Sequence, residues 1–487
     1  MAEDIMKFLD SNSLPTYDDW LGAAKSVVKA DLFDEILFAD LGSGILTDPI
    51  YIQQEDNVKL DYPTYGISRR ASNISGLTDG WDIRQRHWVT SYQKTNEEIL
   101  NDLQRGATSV EIVSSKITSA DFKSLLDQVH LGIAGLSLTS SSGSLNNARN
   151  FINYLDSKDS ESSEFIFDLG FDPISELFRN CLSKDSALSG LDDGGILAKR
   201  VHKDFGRATT YRIDGLEYAE AGADPVTELA TIASILIAYL HSMDKAGVPL
   251  SNAFSQIHIV VSVGTDQFFD IAKIRALRVL ISRIGEVCNV RDVHLKIQAS
   301  IPQFLISKTD PWVNLLRTTV GCFSAAIGGA DIICLPPFDS AFGVPDDFGM
   351  RLARNTQLVL MEESNIHRVI DPAGGSWYVE SLTDEIAQKA WEKFQSFELN
   401  GGIIQAISSG SFQESIKESR EKFKEQIETN EKTFIGVNDF HESAQTELVR
   451  EPYPNPDTPN DGLVSQRPSQ FRISDLATNK GAVDGNS

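Results

Sequence analysis

Three acids and a tyrosine lie ahead of the closing Asp224 in one short stretch, RIDGLEYAEAGAD at residues 212–224: Asp214, Glu217, Tyr218 and Glu220. The β-rich run before them, residues 207–213, reads as a strand. A helix starts at Asp224, a good N-cap residue, with Pro225 at the first helical position, where its missing N–H costs nothing. The cluster is therefore expected in a loop at a strand's carboxyl end, where α/β folds usually carry their chemistry. Glu217 and Glu220 suit acid/base work or the binding of sugar hydroxyls. The plainer alternative is a solvated loop ending in a helix cap.

A second set lies in WDIRQRHW, residues 81–88. Strand alternation sends Asp82, Arg84 and Arg86 to one side and Ile83, Gln85 and His87 to the other. Two arginines on one side of an inner strand are costly unless they are paired or face an anion. Either an anionic ligand or pairing with Asp168 or Asp214 satisfies that demand. Asp292 and His294 invite a metal reading, but His294 opens an apolar strand and reads as a satisfied strand histidine. GGSW at 374–377 reads as a tight turn before a helix. The chain has no P-loop, no GxGxxG after a strand, no HExxH and no GxSxG.

Eight β-rich runs, each separated by helical sequence, must position these residues. They are 81–88, 108–113, 132–138, 165–170, 207–213, 257–263, 293–299 and 331–335. Repeated strand–helix units of this number predict a (β/α)8 barrel, not an open sheet. Helices are expected over 224–246, with Gly247 and Pro249 as the stop, and over 310–327 with an Asp-Pro cap. Further helices are expected over 348–363, 382–397 and 412–429. Residues 1–60 read as an N-terminal arm with a short amphipathic helix over 17–30. Its apolar set of Trp20, Leu21, Leu32, Phe33, Ile36, Leu37 and Phe38 is expected to meet a partner subunit, the alternative being that it folds back on its own barrel. The barrel is expected over 61–400, a helical extension over 401–450 and a disordered tail over 451–487.

Composition narrows the function. A net charge of −25 with no basic stripe argues against nucleic acid. The acidic N-terminus has neither a signal peptide's basic n-region nor a transit peptide's character, and the longest apolar run, 235–240, is far too short for a membrane span. The four cysteines, Cys181, Cys288, Cys322 and Cys334, lack CxxC spacing and read as reduced thiols of a cytoplasmic protein.

The order of segments resembles the methylmalonyl-CoA mutase family in its coenzyme A-binding barrel. The resemblance rests on IDGLEYAEAGADPVTELA (213–230), IAKIRALR (271–278), DPWVNLLRTT (310–319), AAIGGAD (325–331), FDSAFGVPDDFGMRLARNTQLVLMEES (338–364) and VIDPAGGSWYVE (369–380). These cover roughly residues 80–400 in order. The N-terminal arm and TDGWDIRQRHW look like the small, or beta, subunit type.

The resemblance implies a lost active site. Active members carry a histidine where Glu217 stands, and that histidine contacts the substrate's thioester carbonyl. An ionised glutamate cannot donate the same hydrogen bond. The glutamate that touches the adenosyl ribose is retained as Glu220, and Arg84 and Arg86 become candidate contacts for coenzyme A anions. Other family positions read differently: Ala219, the stretch Leu169, Gly170 and Phe171, and Asp331. A cobalamin-binding DxHxxG needs glycine where this chain has Ile297, and too little sequence follows the barrel for a cobalamin domain. The resemblance therefore implies a small subunit, itself non-catalytic, paired in a heterodimer with a large subunit that carries adenosylcobalamin and interconverts methylmalonyl-CoA and succinyl-CoA. The alternative is an acyl-CoA mutase barrel that borrows a separate cobalamin-binding chain.

Overall fold

Each of the eight expected runs forms a strand. A computed structural model describes residues 16–28, 33, 37–52, 80–114, 116–140, 142–158, 164–180, 183–291, 293, 295–440, 448–454 and 471–476. Two short strands, β1 (Ala39–Gly42) and β2 (Ile45–Thr47), form an antiparallel hairpin. The barrel strands follow as β3 (Asp82–Trp88), β4 (Ser109–Val113), β5 (Gly135–Thr139), β6 (Ile166–Phe171), β7 (Arg207–Asp214), β8 (Ile257–Ser262), β9 (Lys296–Ser300) and β10 (Ile332–Cys334). Each pairs in parallel with the next, and β10 returns to pair with β3, so the sheet closes and leaves no edge.

The helix Pro225–Lys245 shows why local sequence succeeds here. Asp224 accepts from the N–H groups of Val226 and Thr227, both at 3.1 Å. Gly247, at φ +83°, ends the helix, and Val248 N–H reaches back to the Met243 carbonyl. The helix has the length and hydropathy of a membrane span, but 83% of its most apolar window is buried inside the protein. It is a core helix whose apolar character the short run 235–240 understated.

Three expectations need correction. Asp214–Glu220 is not a loop: Gly215–Ala221 is a short helix, ended by Gly222 at φ +112°. Leu, Ala and Glu favour that conformation, and a positive-φ glycine stops it. The helix expected from Asp310 begins at Val313. Asp310 has φ +45°, a left-handed backbone that cannot serve as the extended N-cap. The helix over 377–399 starts earlier than expected, because Ser376 caps it and accepts from Val379 N–H.

The arm divides in two. The helix Tyr17–Val27 buries no residue. The hairpin is seated on its own barrel: Ile45 is fully buried in the main core, and the Ser43 hydroxyl donates to Asp224 at 2.5 Å. Phe33 is buried and packs near Phe38, whereas Leu32 and Ile36 lie outside the described residues. Cys322 and Cys334 are buried free thiols and Cys288 is a half-buried one; Cys181, Asp292 and His294 lie outside the described residues.

Candidate functional site at the barrel mouth

The residues singled out by type converge at the carboxyl ends of β3 and β7. Asp214 closes β7 and accepts from the Arg212 Nε–H at 3.0 Å, while its other oxygen has no partner. One turn on, Glu217 is held by Arg179, Nε to Oε1 at 3.1 Å. Arg179 belongs to the helix Pro173–Asn180 and also donates to the Ser140 carbonyl at 2.9 Å. Tyr218 turns into the core, its hydroxyl 3.0 Å from Ser175 Oγ. Burial pushes this phenol well above its ordinary range, so it stays protonated. Glu220 accepts the Gln303 N–H at 2.9 Å. Burial, with Glu217 adding repulsion and Arg86 opposing it, pushes the Glu220 carboxyl up to about 7.

Below the mouth, the barrel's interior is filled by charge. Arg84 is buried and donates to Ser109 Oγ at 3.1 Å and Gln298 Oε1 at 2.7 Å. Arg86 meets Glu111 at 3.2 Å. Glu111 also accepts from Arg212 at 3.2 Å, from Thr139 at 2.7 Å and from Gln298 at 3.1 Å. Burial alone raises a carboxyl pKa, but the guanidiniums of Arg86, Arg212 and Arg84 outweigh it and hold Glu111 well below the usual range. Asp168 takes His258 at 2.7 Å and Ser137 at 2.8 Å. Register makes these meetings automatic: Arg86 lies opposite Glu111, Glu111 opposite Ser137, and Ser137 opposite Asp168. The arginines are thus met inside the barrel, though by Glu111 and Gln298 instead of the expected Asp168 and Asp214. The gap left between Arg84, Asp168, His258 and Lys296 is a cavity of about 10 Å³, room for one water.

Above the mouth lies part of the segment expected to be a disordered tail. Tyr453 packs its ring against Trp88, centroids 5.0 Å apart, and donates to the Ser340 carbonyl at 2.7 Å. Arg450 binds Asp339 at 2.5 Å and Asp346 at 2.8 Å. Arg472 donates to the Gln303 carbonyl at 2.8 Å. Residues 448–454 and 471–476 are therefore seated across the ends of β3, β9 and β10. The tail expectation rested on low apolar content, yet three specific side chains, Tyr453, Arg450 and Arg472, anchor these pieces. Tyr453 stands close enough to Arg86 and Glu220 for their charges to act on its phenol.

Chemically the mouth can hold a proton on Glu220 near neutral pH and little else. Glu217 is consumed by Arg179, and Glu111 by Arg86 and Arg212. Reading by motif overlooked Glu111, Arg179, Arg212 and Tyr453. Glu111 and Arg212 did leave a signal, a lone charge inside an apolar strand run. Tyr453 left none, because its contact spans most of the chain.

Comparison with known proteins adds a lineage to this geometry. A family model described as methylmalonyl-CoA mutase matches residues 115–458. The chain is similar to the methylmalonyl-CoA mutase small subunit of Streptomyces virginiae, 32% identical over 450 residues, which is 90% of this chain and 72% of that protein. It is similar to the small subunit of Propionibacterium freudenreichii subsp. shermanii, 32% identical over 84% of this chain and 65% of that protein. Against the methylmalonyl-CoA mutase of Escherichia coli (strain K12), identity is 27% over 76% of this chain and 51% of that protein. The chain thus spans from half to under three quarters of the length of these relatives.

Proposed function

The chain belongs to the methylmalonyl-CoA mutase family, and on that premise we propose that it is a small subunit that supports a homologous large subunit in a cytoplasmic heterodimer without catalysing the rearrangement itself. The observation that carries this reading is the filled barrel. Arg84, Arg212, Glu111, Asp168 and His258 occupy the interior that a coenzyme A arm would have to enter. Removing one member of such a buried set to admit a ligand would strand the others, at about 3–5 kcal/mol.

The position of the missing histidine points the same way. Glu217 is an acceptor tied to Arg179 and presents no N–H to a thioester carbonyl. Adenosylcobalamin, carried by the partner, supplies the radical that starts the interconversion of methylmalonyl-CoA and succinyl-CoA in the assembled enzyme. Two buried histidines of this barrel are engaged by neighbouring charges: His258 lies inside the barrel against Asp168, and His87 is buried beside Asp102 and Arg354. No step is therefore assigned to cobalt on this chain.

What this chain contributes is surface and stability. The helix Tyr17–Val27, with no buried residue and Val27 84% exposed, is the element offered to the large subunit. The hairpin that follows anchors it to the barrel. Co-expression with a cobalamin-binding mutase subunit tests the reading. A stable heterodimer is expected, with the partner gaining thermal stability and this chain alone forming no succinyl-CoA when given adenosylcobalamin. Failure to associate would refute it. So would turnover by this chain mixed with a separate cobalamin-binding chain, which would favour the borrowed-domain alternative.

A further inference from the structure

We propose that residues 448–454 are a displaceable strap, which closes the side of the barrel mouth between β10 and β3 and lifts while the chain before and after it stays docked. The carboxyl ends of barrel strands are where such a fold carries its chemistry, so a strap on this face controls access. A small molecule or a second chain reaching the mouth on that side must first lift it. The inference goes beyond the subunit reading, and its test needs this chain alone, so either can fail without the other.

The strap has a seat and a latch. At the seat, Val344 N–H donates to the Glu451 carbonyl at 2.8 Å, an antiparallel bridge between the strap and the loop after β10. Gly343, at φ +148°, faces the same carbonyl, and a Cβ there would collide with it. Only glycine lets the strap's backbone lie this close. The latch is Arg450, whose guanidinium binds Asp339 at 2.5 Å and Asp346 at 2.8 Å. Both acids belong to the barrel's frame. Asp339 is fully buried, and Asp346 caps the helix Asp347–Leu358 by accepting from Gly349 N–H at 2.9 Å. Tyr453 then covers Trp88 and bonds to the Ser340 carbonyl.

The hold on the strap differs in kind from the hold on its neighbours. No residue of 448–454 is buried, and Val449 is 87% exposed. Before the strap, Phe434 and Val437 lie in the main core; after it, Phe471 and Ile473 do. Phe471 also stacks on Phe304, centroids 5.2 Å apart, beneath the guanidinium of Arg420. The neighbours are thus fixed by apolar burial, whereas the strap is fixed by polar contacts and one ring. Polar contacts are exchanged for water on lifting and cost little net. A segment with few buried apolar groups opens at a lower free energy than the core around it.

The test is hydrogen exchange on the full-length chain, read by mass spectrometry with fragmentation to single amides. The Val344 N–H, whose acceptor is the strap itself, should exchange at least about tenfold faster than the amides of β3–β10. Arg450→Ala removes two charge-assisted bonds and should speed Val344 by about tenfold or more, leaving 471–476 and the strands unchanged. Gly343→Ala should do the same from the seat. Exchange of Val344 no faster than the strands in the parent chain would overturn the proposal, because the strap would then leave only with global unfolding. Equal acceleration of 471–476 in either variant would overturn it too, since the two pieces would come away as one. Should Arg450→Ala fail to fold, Gly343→Ala decides by the same readings.

Discussion

The axial mouth and the lateral cavity sit at the same end of the barrel and share the ends of β7 and β8, yet one is filled and the other open. In the mouth, inward-facing residues of β3 through β9 meet at strand spacing. Each guanidinium finds a carboxylate or amide on a neighbouring strand, as Arg86 finds Glu111 and Arg84 finds Gln298. In the cavity, the walls come from a hairpin, a strand-end loop and a C-terminal helix that are remote in sequence. No register forces those walls to complement one another, so space remains between them. Sheet register thus pairs most charged groups inside the barrel, although Asp214 Oδ1, Arg86 Nε and His258 Nε2 keep no partner, whereas the docking of separate elements leaves a larger space.

The largest expected effect strikes the saturated side. Glu111→Ala strands Arg86 and Arg212 in the barrel and should cost about 3–5 kcal/mol in urea denaturation. A loss under about 1 kcal/mol, the worth of a surface pair, would mean that the network is far less coupled than its geometry implies.

A smaller effect depends on pH. Burial raises the Glu220 carboxyl from 4.5 to about 7. Between those values the folded chain holds a proton that the unfolded chain has released. Glu220's contribution to stability is therefore fully present below about pH 4.5 and is lost as pH rises through 7. Glu220→Gln keeps the acceptor for Gln303 N–H without the ionisation. It should melt higher than the parent at pH 8, by about 2 kcal/mol after allowing for its partial exposure, with the difference closing toward pH 5. A pH-independent difference would show that Glu220 ionises normally.

The smallest effect concerns the roof. Tyr453→Phe keeps the ring on Trp88 but loses the bond to the Ser340 carbonyl, for about 1 kcal/mol. Limited proteolysis near 448–454 should quicken while the barrel's own melting changes little. Unaltered cleavage would place the hold on this segment with Arg450 instead.

Much of the frame was legible because its signals are local. Asp224 and Pro225 announce the helix Pro225–Lys245, and Gly247 ends it, through groups within a few residues of one another. The short helix Gly215–Ala221 was equally local and was passed over because a polar cluster suggested a loop. The hairpin was missed because β1 and β2 are short and depend on Ile45 reaching the barrel core.

By itself the sequence determined the eight strands, their alternation with helices, and the family lineage, since periodicity and capping act between near neighbours. Its resemblance to active family members also raised the expectation that Glu217 stands where they carry a histidine. Only the tertiary structure decided who partners whom: Arg179 for Glu217, Glu111 for Arg86 and Arg212, and Tyr453 over the mouth. Those choices depend on strand register, barrel closure and contacts between distant segments. Such a charge or ring has many possible partners along the chain, and only the closed fold brings one within reach.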